Sequence, residues 1–152
     1  LHIAVVHGNI LAAQRVIALL LHGSRHLDML NNLRQTPLHL AVITDQPAMV
    51  SLLLENGATP QIPDRNGQTC VHLACEYESM RCLEILLRGR KYYRGAQVNA
   101  QTYAGNTALH VASGRGLVEI TRLLLRSGAD GTVKNCHNDT AVTVAKDRMV
   151  RT

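Results

Sequence analysis

Thr36-Pro37-Leu38-His39-Leu40-Ala41 decides how this chain folds, because its core recurs along the sequence. The four residues Leu38-His39-Leu40-Ala41 return as Leu1-His2-Ile3-Ala4, Val71-His72-Leu73-Ala74 and Leu109-His110-Val111-Ala112, with a weaker copy in Val142-Thr143-Val144-Ala145. Successive copies are 37, 33, 38 and 33 residues apart. Self-similarity at such a period marks a stack of one supersecondary unit. Thr36, Thr69, Thr107 and Thr140 precede four of the copies; a threonine hydroxyl can accept from the orphan amides of a first helical turn. Pro37 then falls at the first helical position, where a missing N–H costs nothing.

The remainder of each unit is consistent with this. A second apolar helix is expected over Met49 to Leu54, Cys82 to Leu87 and Val118 to Leu125, ending at Gly57, Gly89 and Gly128, the residue type that best takes up the left-handed terminal conformation. Between units, Asp64-Arg65-Asn66-Gly67 and Thr102-Tyr103-Ala104-Gly105 read as hairpin tips in which Gly67 and Gly105 supply a positive φ. The second unit has Arg34 at that place, a poorer fit, and the fifth has Asn138, which tolerates the left-handed region. The 33-residue period and the TPLHLA-type motif resemble the ankyrin family over the whole chain. The resemblance implies an all-α repeat solenoid of about five units, each a helix–turn–helix with a hairpin loop, at about 1–30, 31–63, 64–101, 102–134 and 135–152. Both ends are expected to be truncated, since Leu1 begins inside a first helix and neither end carries a polar capping unit.

Composition suits such a stack. The chain of 152 residues has no Trp, no Phe and four Tyr, yet is 46% hydrophobic, mainly through Leu, Val, Ile and Ala. A single globular core normally uses large aromatics, whereas thin layers of helices pack on smaller side chains. No apolar run approaches the roughly 18 residues of a membrane span. Cys70, Cys75, Cys82 and Cys136 form no CxxC pair and no metal spacing, which fits a reducing compartment, cytosol or nucleus. The net charge is +5, with Arg88, Arg90, Lys91 and Arg94 within seven positions and no Asp or Glu between Glu84 and Glu119. That end should carry a positive field.

Several stretches exceed the generic repeat: Asn31 to Thr44, Asp64 to Cys75, Val98 to Gln101, Ala112 to Leu117, Arg126 to Asp130 and Asn135 to Thr140. They resemble the atypical, nuclear inhibitor-of-κB proteins. Longer members of that family have about seven repeats, and here the third unit is followed by a stretch resembling their sixth, so two middle units are expected to be missing near Arg88 to Val98. The resemblance implies a nuclear coregulator, with the cytoplasm as the alternative location, that docks on Rel/NF-κB dimers, including DNA-bound ones, and modulates transcription. The charge is compatible: with no acidic run, a DNA-bound partner meets no like-charge repulsion. An ankyrin adaptor for an unrelated partner is the competing reading, since fold alone does not fix the partner.

Features that suggest chemistry have plainer explanations. The recurrent His2, His39, His72 and His110 sit one per unit with no second ligand, so a tie between helix start and neighbouring backbone is expected, as the family resemblance implies. His72 and Glu76 lack the second His of a zinc-protease helix. Cys70, Cys75 and Cys82 read as small buried hydrophobes, and Cys136 as an exposed thiol. Asn99 occupies an ankyrin position hydroxylated in some relatives, though hairpin structure is its simpler role. The stretch Arg88-Gly89-Arg90-Lys91-Tyr92-Tyr93-Arg94 could touch phosphate and stack on bases, but reads first as a solvated insertion. No nucleophile–base pair, phosphate loop, cofactor motif or small-molecule site stands out, so neither an enzyme nor a direct sequence-specific nucleic-acid binder is expected.

The candidate site is therefore one surface, made of hairpin tips and the exposed side of the first helices. It comprises Asn32, Leu33, Arg34, Gln35, Ile43 and Thr44; Arg65, Asn66, Gln68, Glu76 and Tyr77; Tyr103, Asn106 and Arg115; and Cys136 and His137. Leu33, Ile43, Tyr77 and Tyr103 are the candidate anchors, having no evident internal role, and aromatic and arginine side chains are typical of energetic hot spots.

Overall fold

Four turns of one build punctuate the chain, each set by a short polar side chain that satisfies amides just beyond it. Asn31 Oδ1 accepts from the amides of Leu33 at 3.0 Å and Gln35 at 2.9 Å. Asp64 Oδ1 does the same for Asn66 and Gln68, both at 2.9 Å, and Asn135 Oδ1 for His137 and Asp139, both at 3.0 Å. In the remaining turn Thr102 supplies a hydroxyl, 3.2 Å from the Asn106 amide. The fourth residue of each turn has a positive φ: +79° at Gly67 and Gly105, +59° at Arg34 and +65° at Asn138. A computed structural model of the chain describes residues 1–23, 27–88 and 98–145. Among them no strand occurs; the hairpins are tight turns closed by bonds such as Asp64 N–H to Gln68 C=O at 2.9 Å.

Each turn delivers a threonine to the start of a first helix. The helices are α1 (His2–Val6), α2 (Ile10–His22), α3 (Pro37–Ile43), α4 (Pro47–Glu55), α5 (Cys70–Glu76), α6 (Met80–Arg88), α7 (Ala108–Arg115) and α8 (Val118–Arg126), followed by helical residues 141–145. Thr36, Thr69 and Thr107 cap α3, α5 and α7 in a capping box whose third member is a histidine. The backbone N–H of Thr36 donates to Nδ1 of His39 at 2.9 Å; the Thr69–His72 and Thr107–His110 pairs repeat this at 3.1 and 3.0 Å. An Nδ1 that accepts from a backbone amide carries no proton, so these rings are neutral and Nε2 holds the hydrogen. That Nε2–H donates to a carbonyl of the next unit: His39 to Gln68 at 3.3 Å, His72 to Asn106 at 3.0 Å and His110 to Asp139 at 2.8 Å. His2 reaches Gln35 in the same way at 2.9 Å. The expected structural role of the histidines is thus met, in a ladder that runs through every described unit boundary.

The units stack in register. The first helices pack α1 on α3 on α5 on α7, and the second helices α4 on α6 on α8, with each helix pair forming a hairpin. Ala41, Ala74 and Ala112, one per unit, are fully buried; a methyl at this place lets the first helices approach closely. Met49, Val50, Leu53, Leu83, Leu86 and Leu124 fill the layer between the two helix rows. The second helices start two residues before the expected Met49 and Cys82, at Pro47 and Met80; at Pro47 the missing N–H carries no penalty at a first helical position. Gly57 and Gly128 follow α4 and α8 at φ +95° and +94°, as expected. Gly89 and the basic, aromatic stretch beyond it to Arg94 lie outside the described residues, as do residues 146–152.

Candidate protein-binding surface

The hairpin tips form one row because backbone bonds join each to the next. The amide of Arg65 donates to the Leu33 carbonyl at 3.2 Å, that of Tyr103 to Asn66 at 3.3 Å and that of Cys136 to Ala104 at 3.0 Å. Asn32, Leu33, Arg34, Arg65, Asn66, Tyr103, Cys136 and His137 are all exposed along this row. Gly67 makes the row tight. A Cβ placed there would lie 2.7 Å from the Tyr103 backbone nitrogen and 2.8 Å from its ring, so the Tyr103 side chain rests against a position that only glycine leaves open. Tyr103 is nonetheless 70% exposed, an aromatic face held in place and presented to solvent.

A second row runs along the ends of the first helices. Thr44, Tyr77 and Arg115 take the same repeat position at the C-terminal ends of α3, α5 and α7, and all three are exposed. Arg115 bridges two units: Nη1 lies 3.4 Å from Glu76 and Nη2 3.5 Å from Glu78, all three side chains being substantially exposed. Exposed pairs of this kind contribute ~1 kcal/mol or less. The two rows differ in charge. The tips expose Arg34 and Arg65, with Asp64 drawn inward to 5% exposure; the helix ends carry Asp45, Glu76 and Glu78 beside Arg115.

Six of the candidate residues meet in one place. Arg65, Asn66, Gln68, Glu76, Tyr103 and Asn106, with Thr102, Ala104 and Val111, line an open cleft of about 470 Å³ between the third and fourth units. The cleft's volume falls within the usual range for a ligand site.

Other candidates serve the stack itself. Ile43, read as an anchor without an internal role, is half-buried and packs against the core. Gln35 is also half-buried: its carbonyl accepts from His2 and its Oε1 from Asn31 Nδ2 at 3.1 Å. Thr44 Oγ1 donates to the Leu40 carbonyl at 2.6 Å and accepts from Gln46 at 2.7 Å. Asn106 Oδ1 accepts from Asn135 at 2.9 Å. Glu78 and Asp45 escaped notice in the sequence; the signal for them is their register, one residue past Tyr77 and Thr44, where the equivalents are Gly8 and Gly116.

Cys70, Cys75 and Cys82 are buried and Cys136 exposed. Burial pushes the Cys75 and Cys82 thiols up, to about 12 and about 11, and Cys70 higher still, so all three are inert small hydrophobes. No group of three metal-ligating side chains occurs among the described residues. Asn99 is also structural: Oδ1 accepts from the Asp130 amide at 2.8 Å, 31 residues on, as Asp28 accepts from Thr59 at 2.9 Å.

The sequence profile described as Ankyrin repeats (3 copies) matches residues 1–64 and 59–135. The chain belongs to the ankyrin-repeat family. Among individual ankyrin proteins, it is 41% identical over 216 residues to the B-cell lymphoma 3 protein homolog of Mus musculus and to the B-cell lymphoma 3 protein of Homo sapiens, covering 99% of this chain and 48% of each relative. It is 39% identical over 132 residues to NF-kappa-B inhibitor alpha of Sus scrofa, covering 86% of this chain and 42% of that protein. This ankyrin stack is thus similar to inhibitor-of-κB proteins, and it spans about half the length of the curated relatives it matches. Against the mouse protein, 216 aligned positions face a chain of 152 residues, which leaves at least 64 without a counterpart, close to two units of 33. The match to inhibitor alpha has no such excess.

Proposed function

We propose that this ankyrin stack is a protein-interaction module that binds Rel/NF-κB dimers through its tip row and first-helix ends, and that it acts in the nucleus as a coregulator of transcription. The observation that carries this reading is the similarity, along the described stack, to two proteins named for B-cell lymphoma 3 and to one named as an inhibitor of NF-κB. Placement supports it. The side chains of Asn32, Leu33, Arg34, Arg65, Asn66, Tyr77, Tyr103 and His137 are exposed, and no side-chain bond links them to other described residues. Their backbones join the tips, but no polar bond of the stack uses their side chains, which leaves these available to a partner. The net charge of +5 adds no repulsion toward a partner already seated on DNA.

The test is a titration of the chain with purified Rel homology dimers. Binding is expected, and replacing Tyr77 and Arg115 together by alanine should weaken it at least about tenfold, the loss of one central hot-spot side chain. The melting temperature should hold, because the Arg115 ion pairs are exposed. Failure of the wild-type chain to bind any Rel dimer would refute the partner. Unfolding of the double variant would show that the two side chains belong to the stack.

A further inference from the structure

The cleft between the third and fourth units has a composition that suits a particular kind of ligand. Its walls carry three carboxamides, one guanidinium, one carboxylate and one aromatic ring, from Asn66, Gln68, Asn106, Arg65, Glu76 and Tyr103. A carboxamide presents both a donor and an acceptor, as a peptide group does. The Asn66 and Gln68 side chains are bonded to no other described side chain or carbonyl. Asn106 spends only its oxygen, on Asn135, and keeps its NH2 to donate. Arg65 forms no ion pair with a described residue, whereas Glu76 is held by Arg115. Tyr103, pinned against Gly67, offers a ring face at the tip side of the cleft.

We propose that this cleft is a subsite for an extended peptide segment that carries an acidic side chain beside an aromatic or apolar one. The carboxylate pairs with Arg65, the neighbouring side chain lies on Tyr103, and the three carboxamides bond the peptide backbone. The charges give the segment a direction, because its acid faces the tips and is kept away from Glu76 at the helix end. Nucleic acid fits less well: a phosphate chain entering the cleft meets the Glu76 carboxylate, and Tyr103 is the one aromatic side chain there, whereas single strands are held by successive stacking platforms along a basic groove. The subsite deepens the reading of this face as the partner surface, yet it does not depend on the partner being a Rel dimer.

The experiment uses the whole chain, labelled with nitrogen-15, and three capped tetrapeptides, SEYS, SQYS and SKYS. SEYS should shift the side-chain amide signals of Asn66, Gln68 and Asn106. It should bind about threefold to fivefold tighter than SQYS, the range that an exposed charge pair supplies, with SKYS weakest. Arg65→Glu should reverse the order of SEYS and SKYS at an unchanged melting temperature. Equal affinities for the three peptides, shifts confined to the second helices, or no shift at the peptides' solubility limit would each overturn the proposal. So would an oligothymidylate that moves the same signals more strongly than SEYS. A chain that binds SEYS but no Rel dimer loses only the partner's identity; one that binds Rel dimers but none of the peptides loses only this subsite.

Discussion

Replacing Gly67 by alanine separates two effects that a repeat stack combines at its tips. The first is backbone strain: Gly67 sits at φ +79°, and an alanine in the left-handed region costs ~1–2 kcal/mol. The second is space. The new Cβ would stand 2.7 Å from the Tyr103 nitrogen and 2.8–2.9 Å from its ring. The nitrogen is main chain and cannot rotate aside, so the tip of the fourth unit must shift, at an overpacking cost of ~1–3 kcal/mol. Gly57→Ala is the matched control, with φ +95° and nothing within 4 Å of the added carbon; only the strain remains. Urea unfolding followed by helical circular dichroism should therefore place Gly67→Ala ~2–5 kcal/mol below wild type and Gly57→Ala only ~1–2 kcal/mol below it. Partner binding should fall more in Gly67→Ala, because the displaced residue is Tyr103. Equal destabilisation by the two substitutions would refute the claim that contact between tips fixes Tyr103.

Two further outcomes follow from buried groups. Burial holds the imidazoles of His39 and His72 below the ordinary histidine value of 6.5, so the unfolded chain binds protons that the folded chain refuses. Stability is then at its full value above pH 6.5 and is lost as the pH falls through that value toward the lower folded pKa; melting temperatures measured from pH 8 to pH 5 should decline below about pH 6.5, and a flat profile would contradict neutral, amide-accepting Nδ1 atoms. Among the cysteines, an aromatic disulfide reagent at pH 8 should modify Cys136 alone in the native chain and all four only after denaturation; rapid native labelling of Cys75 or Cys82 would contradict their burial.

The fold was legible because each unit states it again. Five copies of one motif, a threonine before four of them and glycines at Gly57, Gly67, Gly105 and Gly128 left one architecture, and the histidine ladder was implied by the family resemblance. What periodicity does not encode is the traffic between units. Ile43 reads as an exposed apolar residue on a first helix, yet it is half-buried and packs against the core. Gln35, Thr44 and Asn106 occupy variable positions, but their side-chain oxygens are engaged by Asn31, Leu40 and Asn135. Asn31 lies in the same turn as Gln35, Leu40 one helical turn before Thr44 and Asn135 in the next unit, so the spacing of the motif alone does not show that these polar atoms are used. Arg34, Asp45 and Glu78 show the converse. Their φ values of +59°, +54° and +55° stand where the equivalent residues, Gly67 for one and Gly8 and Gly116 for the others, are glycines, so the chain accepts strain at three exposed positions, each of order 1 kcal/mol. A charged side chain kept at the tip row, and two acids kept at the helix ends, are what that strain retains. They add to the charge contrast between the two rows, to which Arg65 and Glu76 contribute at the cleft.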